Sequence, residues 1–167
     1  MPPFIYFLLV MELFFVSYID FKFGKIHNFW SILNIFSYIL FLFIFSDFYL
    51  FNVKTFVFPL AFIFVGYILY LMNIMGAGDS KYLFSFFLLI PVENHERLFL
   101  CLAYTTVYVG VSLLLITIVN NLKNITVAIK SKDVGAIREI FGSKFSYAPV
   151  IFISWIWFGW INQFFIT

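Results

Sequence analysis

The sequence predicts an all-α, polytopic membrane protein: a bundle of six transmembrane helices with both termini outside. Three observations predict it. Of the 167 residues, 64% are hydrophobic and 11% charged, against about 25% charged in a soluble domain, and the mean hydropathy is +1.05. Six apolar stretches are separated by polar breaks, and the Lys and Arg residues gather in alternate breaks. This composition excludes an ordinary soluble domain and a disordered chain. A net charge of +2 is also too small for the basic footprint of a nucleic-acid binder. The single cysteine, Cys101, excludes an internal disulfide and a cysteine-based zinc cluster. The length fits one membrane-embedded domain over residues 1–167.

The spans run from Phe4 to Ile19, Phe29 to Phe45, Thr55 to Met75, Tyr82 to Val92, Leu98 to Val119 and Tyr147 to Ile166. The first lacks the basic n-region and small-residue cleavage site of a signal peptide, and Glu12 interrupts it, so it reads as a permanent helix. The fourth is anomalous. Between Lys81 and Glu93 lie 11 residues, about 16 Å of helix against the roughly 30 Å of a bilayer core. Either the Gly76–Lys81 turn dips below the interface or the bilayer thins there. The 120–146 segment is a basic loop in which Val134, Ile137 and Phe141 have the spacing of a short surface helix.

Six spans make five loops, and the positive-inside rule orients them. The breaks around Asp20–Asn28, Gly76–Lys81 and Asn120–Ser146 hold Lys22, Lys25, Lys81, Lys123, Lys130, Lys132, Arg138 and Lys144, whereas the other two hold only Lys54 and Arg97. The first set is therefore expected in the cytoplasm. Among the acids, Asp47, Glu93 and Glu96 then fall in external loops, Asp133 and Glu139 in the long cytoplasmic loop, and Glu12 inside the first helix. Only Asp20 and Asp79 stand at cytoplasmic helix ends against the hydrocarbon boundary. Asp79 follows Gly76 and Gly78, whose missing side chains admit backbone or substrate, and it opens a helix whose dipole favours negative charge. Asp20 closes a helix. Two carboxylates meeting there would share one proton, the arrangement in which one activates water while the other polarises a peptide carbonyl. On helix-end grounds Asp79 is expected to be the more acidic member and Asp20 the one that keeps the proton.

The run Asp20-Phe21-Lys22-Phe23-Gly24-Lys25-Ile26-His27-Asn28 resembles the segment of type IV prepilin and preflagellin peptidases in which the Asp ending the first helix is followed, at plus six to plus eight, by Ile-Pro-Asn. The run Gly76-Ala77-Gly78-Asp79-Ser80-Lys81 is similar to their second motif, Gly-x-Gly-Asp-x-Lys, and Phe145-Ser146-Tyr147-Ala148-Pro149 to the entry of their last helix. The resemblance covers all six spans. It departs at His27, which stands where the family has Pro, and in the first loop, which lacks the Cys-x-x-Cys pairs of members that also N-methylate their product.

The resemblance implies a GxGD-type membrane aspartic endopeptidase of the short, tight-adherence form, without N-methyltransferase activity. It implies Asp20 and Asp79 as the catalytic dyad, close approach at Gly76 and Gly78, and loop positioning by Ile26, Asn28 and Lys81. The expected partner is a pilin-like or flagellin-like precursor in the cytoplasmic membrane of a prokaryote. Its short basic leader would be cut on the cytoplasmic side. No cofactor or metal is implied, and His27 and His95, on opposite sides, do not build a metal site. Glu12, about 12 Å along the helix from Asp20, reads as structural support within the bundle. From another class, the chain fits a non-catalytic membrane subunit or a small proton-coupled transporter. Sequence leaves the oligomeric state open.

Overall fold

The computed structural model describes residues 1–49, 51–72, 75–122, 124–126, 135 and 146–162. Six α-helices are delimited among them: α1 (Pro3–Phe23), α2 (Asn28–Ile44), α3 (Val53–Leu71), α4 (Ala77–Leu88), α5 (His95–Asn120) and α6 (Ala148–Ile161), with a 3-10 turn at Val92–Asn94 before α5. Three stretches, Pro3–Phe23, Val53–Leu71 and Val92–Asn120, are long and apolar enough to cross a membrane. The chain is an all-α, multi-pass membrane protein with at least three such helices. Most of the 120–146 loop, including Val134, Ile137 and Phe141, lies outside the described residues.

Close backbone packing runs within two groups of three helices: α1 against α6 and α6 against α5 in one, α2 against α4 and α4 against α3 in the other. Helices in lipid gain little from the hydrophobic effect, so they associate where small residues let backbones approach and aromatic rings fill the gaps. Gly66 of α3 lies directly against Ser80 of α4, and Gly159 of α6 against the Tyr6 ring of α1. Tyr6 stacks on Trp155 at 5.1 Å and Trp155 on Phe158 at 5.2 Å. Phe43, Phe64, Val107, Tyr108 and Trp160 face outward, as side chains against lipid do.

The short α4 finds a third solution to its length. Its 12 residues span about 18 Å, but Tyr82, Leu83 and Phe86 to Ile90 are buried in the bundle. A helix enclosed by protein need not match the bilayer, provided the backbone groups beyond its end find partners. They do. The Tyr49 hydroxyl donates to the Leu89 carbonyl at 2.8 Å, and His95 Nε2 lies 2.9 Å from the Phe87 carbonyl and 2.8 Å from that of Ile90. His95, expected in an external loop, is instead 1% exposed, and its contacts place the ring hydrogen on Nε2. Phe58 and Phe87 hold the ring edge-on, each at 5.6 Å.

The connections segregate by end. Asp20, Phe21, residues 24–26 and 75–79, Thr117 and Ser146 border a common cavity, so the described residues that flank the three Lys- and Arg-rich breaks converge at one end. At the other, Arg97 at the start of α5 donates to Asn162 beyond α6 at 3.3 Å.

Candidate active site

The Lys-rich end of the bundle is built on three helix termini. Helix α1 does not stop at Asp20 but runs three residues further, to Phe23, and is closed by Gly24. Gly24 has φ +62°, a left-handed conformation that costs glycine nothing, and its N–H donates to the Asp20 carbonyl at 2.7 Å. Asp20 therefore sits within the last turn, 3% exposed. The chain then returns through the buried Ile26 into α2.

Helix α4 opens at Ala77, with Asp79 in its first turn. The Gly76 N–H donates to Asp79 Oδ2 at 3.1 Å, so this carboxyl folds back over its own helix terminus. Ile26 carries the contact between the two motifs. A Cβ at Gly78 would lie 2.8 Å from the Ile26 carbonyl oxygen, closer than real contacts allow, so the α1–α2 loop can lie over α4 only while residue 78 is glycine. Gly78→Ala is expected to push that loop away and, for the peptidase activity that the sequence resemblance implies, to lower kcat/KM by about tenfold to a hundredfold. Gly110→Ala, where an added Cβ meets nothing within 4 Å, should keep the wild-type rate. Equal rates in the two variants would remove Gly78 from the site.

The third terminus is that of α6. Ser146 Oγ donates to Asp20 Oδ2 at 2.5 Å, and the Ala148 N–H donates to the same oxygen at 3.1 Å. Sequence reasoning assigned Ser146 no role. The available signal was a hydroxyl residue just before a helix whose second position is Pro149, but nothing local says which carboxylate it meets. Tyr147, between them, pairs its hydroxyl with Thr106 Oγ1 at 2.9 Å, tying this terminus to α5.

Asp20 and Asp79 line one cavity of about 1020 Å³, together with Ile26, Gly76, Gly78, Lys25 and Ser146. Its apolar wall is formed by Tyr70 of α3, Leu113 and Leu114 of α5, and Val150 and Ile153 of α6. Lys81 and Asn28, expected to orient the loops, are exposed and do not line the cavity. Asp79 precedes the apolar span that begins at Tyr82. Burial holds its carboxyl above the usual carboxylate range, and the negative charge of Asp20 adds to the rise, against the Gly76 N–H. The helix-end expectation for Asp79 therefore does not hold: burial outweighs the favourable helix terminus. Asp20 accepts two hydrogen bonds, from Ser146 and the Ala148 N–H, whereas Asp79 accepts one, from the Gly76 N–H, and has a neighbouring charge of its own sign. The cause is tertiary: burial of Asp79 comes first, and the charge of Asp20 second.

Among the described residues, no three or more His, Cys, Asp or Glu side chains gather as a metal site requires. No protein-family model, curated protein or solved structure matches the chain.

Proposed function

We propose that the chain is a membrane aspartic endopeptidase that removes the short basic leader of prepilin-like or preflagellin-like precursors, using Asp20 and Asp79. The observation that carries this reading is that the two aspartates, on helices from different halves of the bundle, border one cavity while Asp79 is biased toward its protonated form. In the proposed reaction the Asp20 carboxylate takes a proton from water as its oxygen attacks the scissile carbonyl carbon. Asp79 gives its proton to the carbonyl oxygen. On collapse of the tetrahedral intermediate, the proton on Asp20 passes to the leaving amine and that on the former carbonyl oxygen returns to Asp79. The apolar wall would receive the start of the precursor's hydrophobic segment. Incubation of the purified protein in detergent with a pilin-like precursor should release a leader whose mass places the cut just before that segment. An uncut precursor across pH 5–9 would overturn the reading.

The proposal includes six spans with both termini outside, in the cytoplasmic membrane of a prokaryote, and no N-methyltransferase activity. The Lys and Arg bias predicts the sidedness. With Cys101→Ser as background, cysteines replacing His27 and Lys132 should react with an impermeant reagent only from the cytoplasm, and those replacing Leu50 and Asn94 only from outside. Reaction of the His27 and Lys132 positions from opposite sides would defeat both the topology and a cytoplasmic site.

One observation favours the transporter reading: Glu12 is buried midway along α1, where an ionisable side chain in lipid often marks a proton path. Proton flux in vesicles that Glu12→Gln abolishes, without cleavage of any precursor, would favour it.

A further inference from the structure

Below the aspartates a second polar cluster joins the two helix groups. Tyr82 Oη of α4 donates to Glu12 Oε1 of α1 at 2.9 Å. Asn34 of α2 interacts with both of these side chains, and its Nδ2 reaches Ser85 Oγ of α4 at 3.5 Å. Ser85 in turn donates to the Tyr82 carbonyl at 2.9 Å. All four residues are buried, with Tyr82 and Ser85 fully so. Among the described residues no other ionisable side chain takes part, and α6, which packs on α1, has no ionisable residue within Ala148–Ile161.

This cluster has a particular place in the bundle. Asp20 belongs to the α1–α6–α5 group and Asp79 to the α2–α4–α3 group, so their separation depends on how the two groups are held together. The Glu12–Tyr82 bond joins the very helices that carry them. It lies eight residues before Asp20 on α1 and three after Asp79 on α4, about 12 Å and about 4.5 Å along the respective axes.

We infer that Glu12 and Tyr82 form a hydrogen-bonded clasp between the two halves of the bundle that sets the spacing of Asp20 and Asp79. They are positioning residues for the reaction proposed above, on which this inference rests, and neither borders the cavity. Within hydrocarbon, water does not compete for the bond, and an unpartnered carboxyl or phenol there is unfavourable. The clasp therefore keeps one register, and its loss lets α1 and α4 move apart.

Two measurements test it. The first needs no substrate: spin labels on cysteines replacing Phe23 of α1 and Leu71 of α3, with Cys101→Ser as background, report the distance between the halves. Tyr82→Phe should broaden that distribution, and Glu12→Leu, which breaks the bond from the other side, should do the same. Glu12→Gln keeps an oxygen acceptor for Tyr82 and should retain the wild-type distribution. The second is cleavage. Tyr82→Phe should lower kcat by about tenfold to a hundredfold, the usual result of a misplacement near 1 Å, with KM little changed. Its alkaline pH limb should move down, because wider spacing weakens the repulsion that holds the proton on Asp79. Among the described residues, the other ionisable groups bordering the cavity, Lys25 and Tyr70, are untouched by these substitutions, and Tyr147 is likewise unchanged. Unaltered distances in both Tyr82→Phe and Glu12→Leu would overturn the clasp, as would a Glu12→Gln protein as impaired as Glu12→Leu. Wild-type protein that cuts no precursor while the distances respond would instead overturn the peptidase reading alone.

Discussion

Asp20→Asn and Asp79→Asn are each expected to lower precursor cleavage by about a thousandfold or more, and the double variant scarcely further. Groups that act as one catalytic unit are strongly non-additive: once either is lost, the other has no partner for the proton it holds or takes. Asparagine is the appropriate probe because it preserves the geometry. At position 20 its carbonyl oxygen can still accept from Ser146 and the Ala148 N–H, and at position 79 from the Gly76 N–H. Inserted, folded but inactive protein is therefore the expected product. Asp47→Asn, at an exposed position, and Asp133→Asn should cleave at the wild-type rate. Turnover within tenfold of wild type by either the position-20 or the position-79 variant would remove that residue from the mechanism.

A bell-shaped pH profile of kcat/KM is the second large effect, and its alkaline limb should report Asp79. Burial and the charge of Asp20 both disfavour the ionised Asp79 carboxyl, so it retains its proton above the ordinary carboxylate range and loses it as pH rises further. Above that point the general acid is absent and the rate should fall about tenfold for each pH unit. Lys25 borders the cavity, and its positive charge favours ionisation there. Lys25→Gln should accordingly move the alkaline limb upward. Lys22 lies over the Phe23 ring at 5.4 Å and outside the cavity, so Lys22→Gln should leave the limb in place. Stability follows the same sign. A carboxyl whose folded-state value is raised favours folding at low pH, and that contribution disappears as pH rises through the raised value. The melting temperature of the wild-type protein should decline over this window, and that of Asp79→Asn should not. A downward move of the limb in Lys25→Gln, or a profile flat up to the pH of unfolding, would mean that no Asp79 proton limits the reaction.

The helices were legible because hydrocarbon imposes a simple rule on local sequence. Each run from Phe4, Phe29, Thr55, Tyr82, Leu98 and Tyr147 is apolar enough to be read as a helix of a membrane protein, and each falls within or overlaps an observed helix. The convergence of the Asp20, Asp79 and Ser146 segments at one end was legible for a related reason. Antiparallel helices that alternate in direction must place alternate loops together. His95 was misplaced because its role depends on carbonyls of α4 that local sequence does not reveal to be unpaired.

What the sequence by itself determined is thus the membrane environment, the order of the apolar helices, and the end of the bundle at which two carboxylates lie. Tertiary structure alone decided that Asp79 is biased toward its proton, because its burial and the nearby charge of Asp20 arise from helix packing, and it brought to Asp20 the Ser146 hydroxyl and the Ala148 N–H from more than a hundred residues away. It also decided how a helix as short as α4 is accommodated, through burial among its neighbours and capping by Tyr49 and His95, and which partner meets Glu12. Hydrophobic pattern is additive along the chain and can be read residue by residue. The protonation of a buried acid depends on the few donors and charges within several ångströms, and only the packing of helices from both halves brings those together.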